Sequence, residues 1–472
     1  MGSIRVEKDF LGEKEVPADA YYGIQTLRAV ENFPITGIPV HTELFRALAV
    51  VKKAAARANM ETHLLPPTIG QAIVQAAEEV AVGALADQFL VDSIQGGAGT
   101  SINMNMNEVL ANRALELLGE QKGAYFACSP NNHVNMSQST NDTIPTALRL
   151  AAYGLALELV GTLGELIASF HSKGEELSDV LKMGRTHLQD AVPIRMGQEF
   201  EAYARVLERD VVRIRTAMDG LLEVNMGATA VGTGLNAKPA YIGLVSRHLA
   251  EQTGWNVRSA DHLVDATQNT DAYTALSSAL KVCAINLSKQ ANDIRLMASG
   301  PTAGLQELAL PPRQPGSSIM PGKVNPVMAE TINQIAFQVM GNDATISEAC
   351  QAGQLELNVM GPVIALNLLQ SVKIMKNGLD VYRRFAIEGL AANRERCKQY
   401  VDHSFGICTA LNPHLGYERA AQLVKEAMKS GLTIRELILE RHLLTEEEID
   451  IILDPYHMTS PGISGEELLT ER

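Results

Sequence analysis

Four short segments of this 472-residue chain gather small, hydroxyl and amide side chains ahead of stretches that read as helices. They are Gly96-Gly-Ala-Gly-Thr100-Ser101, Ser137-Gln-Ser139-Thr140-Asn141-Asp142, Gly184-Arg-Thr186-His187 and Gly316-Ser317-Ser318. The last continues through Pro321-Gly-Lys323-Val-Asn325-Pro326 into an apolar stripe, so that Asn325 reads as an N-cap and Pro326 as a first-turn proline. Helix starts offer unpaired N–H groups and a partial positive charge, which suits them to carboxylates. Any one segment needs no more than the capping of its own helix. Four together, with Lys323 and His187 embedded, point to a small anionic ligand. Two phosphate motifs fail on inspection. Gly232-Thr-Gly-Leu-Asn-Ala237 matches GxGxxA but lacks a βαβ frame and runs into Pro239, and Gly316 to Lys323 has the wrong glycine spacing for a P-loop, with Val324 where Ser or Thr would hold magnesium.

The elements that must position these segments are helices. Met196, Phe200, Tyr203, Leu207, Val211, Ile214, Met218 and Leu221 form one stripe at helical spacing; Leu276, Leu280, Cys283, Leu287, Ala291 and Ile294 form a second, which Gly300-Pro301 stops. A third passes through Met328, Ile332, Ile335 and Val339. Long helices with single stripes must bury them against other helices, so the fold class is mainly α with a bundle of long helices. Short hairpins fit only the first 40 residues and the stretch from Lys182 to Gly234. Breaks in pattern divide the chain into an N-terminal domain over 1–140, a central long-helix domain over 141–393 and a small C-terminal domain over 394–472. The Gly- and Pro-rich stretch from Ser299 to Pro326 is long for a loop inside a domain, and stretches of that length are usually either functional lids or disordered.

Composition narrows the function classes. Lys and Arg number 40 against 54 Asp and Glu, a net charge of −14, which excludes an extended nucleic-acid surface. The most apolar stretch, Leu150 to Phe170, is interrupted by Glu158 and Glu165, so no membrane span is expected. Met1 to Phe10 carries no signal-peptide core. Cys128, Cys283, Cys350, Cys397 and Cys408 are odd in number and never as close as CxxC; they read as free thiols of a cytoplasmic protein. The 11 His are scattered, with no HExxH, so neither a metal nor another cofactor is called for.

Gly316-Ser-Ser-Ile-Met-Pro-Gly-Lys-Val-Asn-Pro326 resembles the signature of the aspartase/fumarase superfamily of lyases. Gly96 to Glu108, His133 to Asp142 and Gly184 to Pro193 resemble that family's other active-site segments in the family's order, and Val16 to Phe33 and Thr229 to Asn236 extend the similarity over nearly the whole chain. The resemblance implies three mostly helical domains and a homotetramer built round a central helical bundle, each active site being assembled from three subunits. Within the family, SQSTND around Thr140, Tyr21-Tyr22-Gly23, Gln25-Thr-Leu-Arg-Ala29 and Asp190-Ala-Val-Pro193 are similar to aspartate ammonia-lyases, where fumarases read SQSSND, YWG, QTQRS and DATP. Some aspartases carry Gln where this chain has His187.

The implied reaction is reversible deamination of L-aspartate to fumarate and ammonia. By position, Ser317 is the base that takes the Cβ proton. Thr100, Ser139, Thr140 and Ser318 are hydroxyl donors to the aci-carboxylate that results. Lys323 and Asn325, assisted by Thr186, bind the α-carboxylate, while His187 and Asn141 lie near the amino group. Fumarate hydratase is the alternative reaction. A catalytically retired structural member, the remaining alternative, predicts damage at the loop, whereas Thr186, His187, Ser317, Lys323 and Asn325 all match the active pattern.

Overall fold

The computed structural model describes residues 3–470. A hairpin of β1 (Ile4–Asp9) and β2 (Gly12–Pro17) leads into α1 (Ile24–Asn32), α2 (Thr42–Glu61), α3 (Pro67–Ala81), α4 (Thr100–Leu117) and the 37-residue α5 (Thr140–Glu176). A second hairpin, β3 (Leu181–Thr186) and β4 (Gln189–Arg195), precedes α6 (Met196–Asp219), α7 (Pro239–Thr253), α8 (Leu263–Gln268) and α9 (Asp271–Met297). After a long irregular segment come α10 (Val327–Gln351), α11 (Gly361–Tyr382), α12 (Arg394–His403), α13 (Cys408–Leu415), α14 (Tyr417–Ser430), α15 (Ile434–Glu440) and α16 (Glu446–Ile452). The remaining strands are two-residue pairs, Glu223–Val224 parallel to Arg258–Ser259 and Leu308–Ala309 antiparallel to Ala391–Ala392.

Each long stripe became a helix. Phe200, Tyr203, Leu207, Ile214 and Met218 are buried on α6, and Leu276, Leu280, Cys283, Leu287, Ala291 and Ile294 are buried on α9. The boundaries expected at 140/141 and 393/394 lie at the starts of α5 and α12, but contacts group the chain into two compact units, each made of three segments. The first comprises Met1–Gly161, Asp210–Ile285 and Ile335–Asn377; the second comprises Thr162–Arg209, Asn286–Gln334 and Gly378–Arg472.

In the first unit, α2 packs on α3 and α7, and α3 packs on α4. Leu44, Leu48, Val51, Ala55 and Ala58 of α2 are fully buried, and small alanines let the helices approach closely. In the second unit, α12 packs on β3, and Leu411, Ile438, Ile449 and Ile452 form a separate core within the C-terminal helices. Two of those helices, α15 and α16, start with capping boxes, Thr433 with Glu436 and Thr445 with Glu448, which explains order in such short elements.

Three expectations need correction. Gly184 to His187 enters no helix: it ends β3 and forms the tip of a hairpin. Asn325 does not cap α10, which starts at Val327; its side chain instead donates to the carbonyl of Gly316. And α5 is, by length and composition, apolar enough to cross a membrane, because its charges are sparse rather than absent. Half of its most apolar window is buried inside the protein, and the core helix of a folded domain passes the same test.

Candidate active site

The first unit holds Thr100, Ser139, Thr140 and Asn141 at the starts of α4 and α5. Ser139 caps α5: its Oγ accepts from the Asn141 N–H at 3.2 Å, while Asp142 reaches back to accept from the Ser139 N–H at 2.9 Å. The cap uses a lone pair of the hydroxyl and leaves its proton free to donate. Asp142 is fully buried and also accepts from the N–H groups of Gly227 and Thr229, at 3.2 and 3.0 Å. Asn141 donates to the carbonyl of Ala230 at 2.7 Å. Thr100 Oγ1 donates to the carbonyl of Gly97 at 2.8 Å, so that hydroxyl must turn before it serves a ligand.

Beneath this capped turn lies a polar cluster built on Asn135. Its Oδ1 accepts from Lys52 Nζ at 3.0 Å, from Asn103 Nδ2 at 3.1 Å and from Asn107 Nδ2 at 3.2 Å. Lys52 Nζ also donates to Gln138 Oε1 at 2.9 Å, and Thr143 Oγ1 donates to Asn103 Oδ1 at 3.2 Å. Lys52 is 0% exposed, and burial holds its ammonium below the usual lysine range, with the charge of Asp142 opposing that shift. Burial likewise pushes the carboxyl of Asp142 up, against its hydrogen bonds from Ser139 and Thr229 and the charge of Lys52.

The second unit holds Thr186, His187, Ser317, Ser318, Lys323 and Asn325. Thr186 pairs with Gln189, so His187 and Leu188 alone make the turn, with φ of 54° and 59°. Both tip residues are exposed. A bulge between Met183 and Arg185 shifts the register just before the tip; a Cβ on Gly184 would lie 2.6 Å from the Val192 carbonyl, so no larger residue fits there.

The segment from Gly316 to Asn325 folds onto itself. The Gly316 N–H donates to the Lys323 carbonyl at 2.8 Å, and Asn325 Nδ2 donates to the Gly316 carbonyl at 2.8 Å. A Cβ on Gly316 would collide with the Lys323 carbonyl. Inside this loop, Ser317 Oγ accepts from the N–H groups of Ile319 and Met320 at 3.2 and 3.1 Å. Two donors aimed at one hydroxyl oxygen favour its ionised form over its neutral one. Lys323 is exposed, and its ammonium has no hydrogen-bond or ion-pair partner among the described residues. It lines, with Asn325 and Arg295, a cavity of about 970 Å³. No group of three or more His, Cys, Asp or Glu among the described residues is placed to hold a metal ion.

The chain matches the family described as lyase over residues 12–341, and that described as fumarase C C-terminus over residues 407–460. It is 64% identical over 465 residues to the aspartate ammonia-lyase of Bacillus subtilis, covering 98% of each chain. It belongs to the aspartase/fumarase family of lyases. The aspartate ammonia-lyase of Helicobacter pylori (strain 26695) is 49% identical over 460 residues, covering 97% of this chain and 98% of the relative. Among solved structures, the fumarate lyase:delta crystallin of Brucella melitensis bound to cobalt superposes with a TM-score of 0.94 at 47% identity, covering 97% of this chain and all of that one. The recombinant class II fumarase of Schistosoma mansoni superposes with a TM-score of 0.91 at 36% identity, covering 97% and 100%. The mainly helical architecture expected of this lyase family is the one observed.

Sequence reasoning assigned no holding role to the groups that keep this lyase's site segments in place: Lys52, Asn103, Asn135 and Asp142 in one unit, Arg185 and Glu307 in the other. One signal for Lys52 was there. It lies four residues after Leu48 and three before Ala55, on the apolar face of α2, where a charge has to find buried partners.

Proposed function

We propose that the chain catalyses the reversible deamination of L-aspartate to fumarate and ammonia. The observation that carries this reading is Ser317 Oγ under two backbone N–H groups, in a chain 64% identical to an aspartate ammonia-lyase. Ser317, as the alkoxide, takes the Cβ proton of aspartate. The electron pair left on Cβ moves into the adjacent carboxylate, and Thr100, Ser139, Thr140 and Ser318 donate to the oxygens on which charge develops. Lys323, the second N–H of Asn325 and Thr186 hold the α-carboxylate, while His187 and Asn141 face the α-amino group. The Cα–N bond then breaks and ammonia leaves. A protonated amine is a competent leaving group, so no strong general acid is needed.

The working form is a homotetramer in which each site draws its segments from three subunits. The likeness of the whole chain to the aspartase/fumarase family supports this. The likeness to a class II fumarase makes fumarate hydration the competing reading. Incubating the protein with fumarate, with and without ammonium, while following the absorbance of the double bond, separates the two. Loss of fumarate only with ammonium is the expected result; loss without ammonium would identify a hydratase, and no loss in either case would overturn both.

A further inference from the structure

The tip that carries His187 has little to hold it. Both turn residues adopt the left-handed conformation without being glycine or asparagine, and both are exposed. Within its own chain, a strained and exposed tip is oriented through its stem. The second stem pair below the turn, next to Thr186–Gln189, is Arg185 opposite Asp190, and both strands are anchored there. Asp190 Oδ2 accepts from Ser404 Oγ at 2.8 Å. Arg185 Nη1 donates to Glu307 Oε1 at 2.8 Å, and its guanidinium lies 5.3 Å from the centre of the Tyr400 ring.

Glu307 is a fixed post. Its side chain is 0% exposed, and Lys182 Nζ lies 3.2 Å from its other oxygen while also donating to Glu199 at 3.0 Å. Its N–H donates to the Met297 carbonyl at 2.8 Å, and its carbonyl accepts from the Asn393 N–H at 2.8 Å. A buried carboxylate placed between two cations has one favourable geometry, unlike an exposed ion pair that samples many. Glu307 also belongs to the irregular stretch between α9 and α10 that continues to Ser317. The pair therefore joins the strand that ends in Thr186 and His187 to the segment that leads into the catalytic loop.

We propose that Arg185 and Glu307 are positioning residues for the deamination: their ion pair sets where the Thr186–His187 tip stands, and turnover depends on it although neither residue touches substrate. This rests on the substrate-binding roles given above to Thr186 and His187. The test uses the full chain carrying Arg185→Gln, Arg185→Lys, Glu307→Gln, Thr186→Ala or His187→Ala, together with the double variant Arg185→Gln/Thr186→Ala. Thermal melts accompany kcat and KM for L-aspartate. Arg185→Gln is expected to lower kcat/KM by about 10- to 100-fold, the scale of a displaced binding group. Arg185→Lys is expected to recover part of that loss, and Glu307→Gln to match Arg185→Gln. The penalty of Arg185→Gln should shrink when Thr186 is already Ala, because the two act through one contact.

Wild-type kcat/KM in a folded Arg185→Gln, or strictly additive penalties in the double variant, would overturn the positioning role while leaving the binding roles intact. Unchanged kinetics in both Thr186→Ala and His187→Ala would instead remove the reading beneath it, and the inference with it. If Arg185→Gln fails to fold, the Arg185→Lys and Ser404→Ala variants, which loosen the same stem more gently, carry the comparison. Both are expected to raise KM for L-aspartate, and unchanged KM in both would count against the proposal.

Discussion

Replacing Ser317 by Ala tests the proposed chemistry at its narrowest point. The change removes one oxygen from a half-buried loop position whose partners are the N–H groups of Ile319 and Met320 at 3.2 and 3.1 Å. Neutral hydrogen bonds contribute about 0.5–1.5 kcal/mol each, and water can replace them at an accessible loop, so the fold should lose no more than about 1–3 kcal/mol. The kinetic effect is of another size. Bonds to a charged oxygen contribute about 1.5–3 kcal/mol each, so the pair favours the alkoxide over the neutral hydroxyl by about 2–3 kcal/mol. That preference alone is worth about 30- to 150-fold in rate, and losing a positioned base altogether costs about 100- to 10,000-fold. The assay is the initial rise of fumarate absorbance at saturating L-aspartate, with a thermal melt and a sizing column on the same preparation. A melt close to that of the parent with kcat down by at least about 100-fold is the expected outcome. Turnover within about threefold of the parent would remove Ser317 from the base role, since no single base contributes so little.

Other perturbations reach different parts of the argument. Lys323→Ala should raise KM for L-aspartate more than it lowers kcat, because an exposed, unpartnered cation contributes binding; unchanged values of both would refute the carboxylate clamp. Lys52→Met keeps the volume in the core but strips Gln138 Oε1 of its donor, at a cost of about 1–3 kcal/mol, so the denaturant midpoint should fall. A midpoint equal to the parent's would show that the cluster beneath Ser139 adds nothing to stability. At Asp92, burial works to raise the carboxyl, but hydrogen bonds from the Ile94 N–H, the Thr36 hydroxyl and N–H and the Gly37 N–H outweigh it and hold it at about 2 against an ordinary 3.8. A depressed carboxyl stabilises the fold above its unfolded value and loses that contribution as pH falls through its folded one. Stability should therefore drop between about pH 4 and pH 2, and Asp92→Asn should flatten that part of the profile while lowering stability at neutral pH; an unaltered acid slope would show that the loop does not report on Asp92.

Periodicity made the long helices legible, because a stripe at helical spacing needs only neighbours within two turns to be recognised. The hairpin tip escaped for a local reason as well. His187-Leu188 lacks the Gly or Asn that normally marks a two-residue turn, and Gly184, which reads as a loop residue, serves a bulge inside a strand. Asn325 was misjudged as a cap because its partner, the Gly316 carbonyl, is nine residues away across a loop closure that local rules do not register.

The sequence by itself determined the helices, the chemical inventory of the site and the family to which they belong, since propensity, spacing and motif identity are properties of short stretches of chain. Only the tertiary structure decided which hydroxyl is placed under two N–H groups, that Lys52 lies buried against Asn135 and Gln138, and that Arg185 meets Glu307 across 122 residues of chain. Those choices depend on contacts whose partners are far apart in sequence, and on burial, which gives a charge its energetic weight only once the surrounding protein has closed over it.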